Sequence, residues 1–228
     1  MSLAIFQEQL ELEREWREAE IRFLNNLQEG LSETDRPKIR RSIVCLLYAH
    51  IEGFVRFAFS LYIDQVNNKG LTCKDVSPAI AAAAFAKELK ALKDTNSKSP
   101  LFLNTLPDDK HLHGFARDIQ FLSNIGNFYD HPVTISEGYI NTENNVGREV
   151  IEKMLFQVGL EYSDLKETYS PLNRLLNVRN DIAHGKRKQG IADEDYNIFL
   201  TCCRSVMNTI SRRLTSSFGA EKYLKAPS

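Results

Sequence analysis

Apolar residues recur along most of this chain at helical rather than strand spacing. Leu12, Trp16, Ala19, Phe23 and Leu27 follow one another at intervals of three and four, with Glu8, Glu11, Glu15, Glu18 and Arg22 between them. The pattern predicts a first helix from about Phe6 to Leu27, with the apolar set as its core face. Thr34-Asp35-Arg36-Pro37 starts a second, unusually long helix running to about Val66. It is apolar almost all round between Ile43 and Ile63, as expected of the most buried element. Its interior polar residues His50, Glu52 and Arg56 need partners. Glu52 and Arg56, four apart, can pair with each other; the alternative is that Glu52 orients a functional residue.

Ser77-Pro78 opens a third helix, Ala79 to about Leu92. Pro100 and Pro107 restrict residues 93–113 to short turns, and Phe115, Ile119 and Leu122 predict a short helix ended near Gly126. Val133 and Ile135, then Tyr139 and Ile140 across Ser136-Glu137-Gly138, fit either a small β-hairpin or a long ordered loop. Residues 93–146 thus read as an insertion between core helices. Arg148 to Val158 forms a helix capped by Gly159. After a short helical lead-in from Ser163, Ser170-Pro171 starts the next helix, and Asp193 starts the last. Phe199, Leu200, Cys203, Val206, Met207, Ile210 and Leu214 make the core face of that last helix. The expected fold class is all-α, a helical bundle forming one domain over residues 1–228, with an inserted loop or small hairpin region.

The chemistry concentrates in Arg179-Asn180-Asp181-Ile182-Ala183-His184-Gly185, followed by Lys186-Arg187-Lys188. Leu172, Leu175, Leu176, Ile182 and Ala183 define an apolar stripe, and Arg179 falls on it where an aliphatic residue is expected. Asn177, Asn180 and His184 form a neighbouring polar strip. Gly185 supplies the helix stop, leaving His184 in the last turn. A guanidinium suits phosphate oxygens, and an imidazole gives or takes a proton near neutral pH. The bland reading of each is a snorkelling, ion-paired Arg and a helix-end His. Together with the basic turn they point to phosphodiester chemistry.

Composition narrows the field. The formal net charge is −1, but residues 1–35 carry nine acidic and three basic side chains, and residues 170–228 ten basic and five acidic. The basic third holds the motif, as a local phosphate-reading site requires. No apolar run approaches the length of a bilayer span and the N-terminus is acidic, so a cytoplasmic protein is expected. Cys45, Cys73, Cys202 and Cys203 include no C-x-x-C pair and read as buried free thiols. His111 and His113, near Asp108, Asp109 and Asp118 with His131 beyond, fit no metal-site spacing and read as solvated loop residues. Phe128, Tyr129 and Tyr139 read as packing residues, with base stacking as the rival role.

Arg179-Asn180-Asp181-Ile182-Ala183-His184 resembles the Arg-polar-x-x-x-His signature of the HEPN superfamily, all-helical domains that include many ribonucleases. Leu46-Leu47-Tyr48-Ala49-His50-Ile51-Glu52-Gly53-Phe54 is similar to the central helix of a bacterial HEPN branch linked to toxin–antitoxin, phage-defence and other conflict systems. Ile140-Asn141-Thr142-Glu143-Asn144-Asn145, with Val150 to Gly159, is similar to the same branch. The resemblance implies a HEPN-like bundle and a metal-independent endoribonuclease that cleaves RNA through the ribose 2′-hydroxyl. His184 would be the acid–base group, Arg179 the phosphate clamp and Asn180 an orienting residue. Lys186, Arg187 and Lys188 would bind the RNA backbone. No cofactor and no metal are expected. The resemblance also implies a homodimer with two motifs in one cleft, and an antitoxin or other partner protein. The rival readings are a non-catalytic HEPN module that binds nucleotides or partner proteins, and a structural helical protein in which Arg179 is ion-paired in the core.

Overall fold

A computed structural model describes residues 1–96, 98, 99, 102, 109–163 and 166–226, and for residues 166–169 the backbone alone. Eight α-helices appear among them: α1 (Leu3–Glu29), α2 (Arg36–Asn67), α3 (Pro78–Ala84), α4 (Ala86–Lys93), α5 (Lys110–Ile125), α6 (Arg148–Gln157), α7 (Lys166–Ala183) and α8 (Asp193–Gly219). No strand is present among the described residues, and the fold is the expected all-α bundle.

Helix α2 is the centre of the molecule. It packs along α8, and α1 and α7 each lie on both of them from opposite flanks. Phe54, Val55, Ala58, Phe59 and Tyr62 are fully enclosed, as apolar positions all round a helix demand. By length and composition α2 is also apolar enough to cross a membrane, contrary to the sequence expectation, but more than half of that window is buried against its neighbours. Helix α8 buries Phe199, Cys203, Val206, Met207, Ile210 and Leu214. Leu200 is only half-buried.

Helix α1 departs from the expected packing. Its buried face is Phe6, Leu10, Arg17, Ile21 and Gln28. Leu12, Trp16, Phe23 and Leu27, expected in the core, are 58%, 47%, 66% and 50% exposed. Polar contacts explain the choice of face. Arg40 of α2, itself buried, donates from Nε to Gln28 Oε1 at 2.8 Å. Arg17 pairs with Glu13 at 2.5 Å and reaches His50 Nδ1 at 3.5 Å. Arg17 and Gln28 thereby find polar partners inside, and the more apolar stripe is left outside.

The expected third helix breaks at Phe85 into α3 and α4. Phe115, Ile119 and Leu122 of α5 are exposed, and α5 buries His113 and Ala116 instead. Pro100, Pro107 and Asp108 lie outside the described residues. The hairpin does not form: Glu137–Tyr139 is one turn of 3-10 helix. The ordered loop is held by Asn67, which donates to Ile135 O at 2.9 Å and accepts from Ile135 N at 2.8 Å. Val133, Ile135 and Ile140 bury themselves against the end of α2.

Candidate functional site

Helix α7 begins at Lys166, four residues before Ser170, so Pro171 lies inside the helix and the expected Ser170 cap does not operate. Downstream the sequence reading holds. Gly185 has φ +70°. Its N–H donates to Ile182 O at 3.0 Å and that of Lys186 to Asp181 O at 2.8 Å, a Schellman stop. The stop turns the chain out of the helix at His184 and presents the basic residues.

Leu172, Leu175 and Val178 anchor α7 in the core. Arg179, one position on, is half-buried, with its guanidinium carbon 4.7 Å above the Tyr48 ring of α2. Its Nη1 donates to Asn180 Oδ1 at 2.8 Å. Among the described residues no carboxylate lies within ion-pairing distance of Arg179, so the core ion pair of the bland reading is not there. The cation is held by an aromatic face and an amide, which fix its plane and leave its charge uncompensated. Burial pushes the Tyr48 hydroxyl up to about 12, with the Glu52 charge adding to the effect, so the platform stays neutral.

His184 is exposed, one turn beyond Asn180, and its N–H donates to Asn180 O at 2.9 Å. Asn177 is exposed on the same strip. Ala183, read as apolar stripe, is exposed as well. One helix thus carries a fixed guanidinium and, one turn beyond the amide that holds it, an accessible imidazole: a phosphate clamp and a proton-transfer group.

The basic turn is fixed from α2. Arg41 donates from Nη1 to Lys188 O at 2.6 Å, and Ile191 N donates to Pro37 O at 2.9 Å. Gly190 sits so close to Pro37 that a Cβ there would meet its carbonyl carbon at 2.8 Å. Lys186 and Lys188 are exposed and Arg187 is half-buried. Arg41 and Arg179 both bear electrostatically on Cys45, whose thiol is pushed up by burial and pulled back by these two charges. Arg41 and Tyr48 thus join Arg179, Asn180, His184, Lys186, Arg187 and Lys188 in one region, although sequence reasoning gave neither a role.

The other candidates lie elsewhere. Glu52 pairs with Arg56 at 3.2 Å, as expected, and both reach Thr142 Oγ1, at 3.3 and 3.0 Å. The trio ties the Ile140–Asn145 stretch to α2. His113 is a buried helix residue rather than a solvated one, its Nδ1 accepting from Ser99 N at 2.9 Å. His111 is exposed, and His131 packs 4.5 Å from the Phe85 ring. Among the described residues no group of three His, Cys, Asp or Glu side chains is placed to hold a metal. Phe128 packs against Phe85, centroids 4.8 Å apart, whereas Tyr129 is 61% exposed. All four cysteines are free; Cys73, Cys202 and Cys203 are buried and Cys45 half-buried.

No curated protein and no solved structure matches the chain. The family RiboL-PSP-HEPN matches residues 12–216, a span that holds α2, the Arg179–His184 motif and the basic turn. With its all-helical bundle and that match, the chain belongs to the RiboL-PSP-HEPN family of the HEPN superfamily.

Proposed function

We propose that this protein is a metal-independent endoribonuclease acting in bacterial defence or toxin–antitoxin biology. The observation that carries the reading is the Arg179 cation, held on Tyr48 and Asn180 with no carboxylate partner among the described residues, while His184 stands exposed one turn beyond Asn180. RNA brings its own nucleophile. His184 takes the proton of the ribose 2′-hydroxyl, whose oxygen attacks the adjacent phosphorus. The P–O5′ bond breaks, the 5′-oxygen leaves with a proton, and a 2′,3′-cyclic phosphate remains. Arg179 stabilises the charge that builds on the phosphorane oxygens. Asn180 keeps the guanidinium in place, and Lys186, Arg187 and Lys188 hold the flanking backbone. DNA lacks the hydroxyl and is spared.

Two proton transfers are better served by two imidazoles. A homodimer with the outward strips of α7 facing each other would bring a second His184 into the cleft and is part of this reading. Mixing inactive Arg179→Ala and His184→Ala chains tests it, since a shared cleft regains activity on mixing and separate sites do not. The enzyme reading itself is tested with end-labelled RNA and DNA in excess EDTA. The wild type cuts RNA alone and His184→Ala cuts neither. A well-folded wild type that binds RNA without cutting it would instead favour the non-catalytic HEPN module, and the neutralising partner of a toxin would then lose its rationale.

A further inference from the structure

The exposed apolar stripe of α1 lies on the flank opposite the motif helix. Leu12, Trp16, Ala19 and Phe23 follow the 4-3-4 spacing of a heptad seam, and Ile5, seven residues before Leu12, is 46% exposed in line with them. We infer that a second copy of this chain docks here, α1 against α1 in antiparallel orientation about a twofold axis between Trp16 and Ala19.

Three observations choose this occupant. An antiparallel seam centred there layers Trp16 on the partner's Ala19 and Leu12 on the partner's Phe23, large on small and medium on large. The charges at its edges complement themselves. Glu15 and Arg22 flank the same side of the seam, seven residues apart, and neither has an ion-pair partner among the described residues. The twofold places each beside the other in the partner, giving two equivalent pairs. On the other side Glu13 is already engaged within the chain, paired with Arg17 at 2.5 Å, and Glu20 lies 3.2 Å from the His50 ring. Finally, the half-exposed large side chains offer on the order of 500 Å² per copy and 1,000 Å² per pair, where specific interfaces begin.

The seam is separate from the proposed cleft. The C-terminal end of α1 lies beside the start of α2, through Arg40 and Gln28, where Arg41 holds the basic turn. At 1.5 Å per residue the turn stands about 15 Å along α1 from the axis, so the two copies' turns point to opposite ends. The seam is therefore an addition to the α7 pairing of the ribonuclease reading, and breaking it with Arg22→Glu leaves that pairing intact.

Light scattering of the eluting protein tests it. At one fixed concentration Arg22→Glu halves the mass of the wild type, and Glu15→Arg alone does the same. The double variant Glu15→Arg with Arg22→Glu restores it, while cleavage per chain and melting temperature stay unchanged throughout. A monomeric wild type, a mass unaffected by Arg22→Glu, or a double variant that fails to recover overturns the proposal. In the first case the stripe is left to a different protein.

Discussion

The guanidinium carbon of Arg179 lies over the buried ring of Tyr48, 4.7 Å from its centre, and its Nη1 donates to Asn180 Oδ1. The pairing turns a residue next to the core-facing stripe into a fixed cation on the same helix as the exposed His184. A stacked cation of this kind contributes about 0.5–1 kcal/mol to stability. Arg179→Ala should therefore lower the melting temperature by only a few degrees while abolishing RNA cleavage. Arg179→Lys keeps the charge but loses the planar fork, and should retain little activity. Thermal unfolding beside a cleavage assay separates the two effects.

Tyr48 serves through its ring. Its hydroxyl is buried near the Val146 amide and has no hydrogen-bond partner among the described residues. Tyr48→Phe should be neutral or slightly stabilising and keep activity, because no satisfied polar group is lost. Tyr48→Leu removes the aromatic face and should cost activity well beyond its effect on stability. Cleavage rates of the two variants, at matched folded fraction, decide this.

The position of the basic turn depends on Gly190. A side chain there would strike the Pro37 backbone, at 2.8 Å from its carbonyl carbon and 2.9 Å from its oxygen. Gly190→Ala should therefore push the turn off α2 and weaken RNA binding, with Arg179 and His184 untouched in their helix. Filter binding before and after the change reads the effect directly.

Within the turn, Lys186 and Lys188 should act by charge alone. Each replacement by Ala should weaken binding about equally for every RNA sequence and reduce the slope of log affinity against log salt by about 1. A salt titration of RNA binding reads the slope.

Acid should weaken the fold through His50. Burial holds its pKa below the usual 6.5; Glu20 opposes this, Arg17 adds to it, and Glu18 opposes it more weakly. The unfolded chain binds the proton more readily, so this contribution is complete above pH 6.5 and is lost as pH falls below it. Denaturant titrations at pH 7.5 and 5.5 should show the drop, and His50→Gln should flatten it. The single Trp, Trp16, packs edge-on 5.6 Å from the His50 ring and reports the change in fluorescence.

Much of this was legible in the sequence, for physical reasons that differ by element. Helix α2 announces itself by being apolar all round, and α8 by a long periodic face after Asp193, Glu194 and Asp195. Gly185 marks the end of the motif helix because only a left-handed residue closes that turn. The core face of α1 was not legible. Two stripes there have helical spacing, and the less apolar one is buried because Arg40 and His50 of α2 take up Gln28 and Arg17. Such partners are set by tertiary packing, which periodicity does not encode. For the same reason Arg41 and Tyr48 carried no local signal. They enter the candidate site only because α2 and α7 lie side by side.

The most direct test of the account is the chemistry of the cut ends. RNA incubated with wild-type protein in excess EDTA should yield 2′,3′-cyclic phosphate on one fragment and a free 5′-hydroxyl on the other, and neither product should form with His184→Ala. Fragments ending in 3′-hydroxyl and 5′-phosphate, or cleavage that survives the loss of His184, would contradict it.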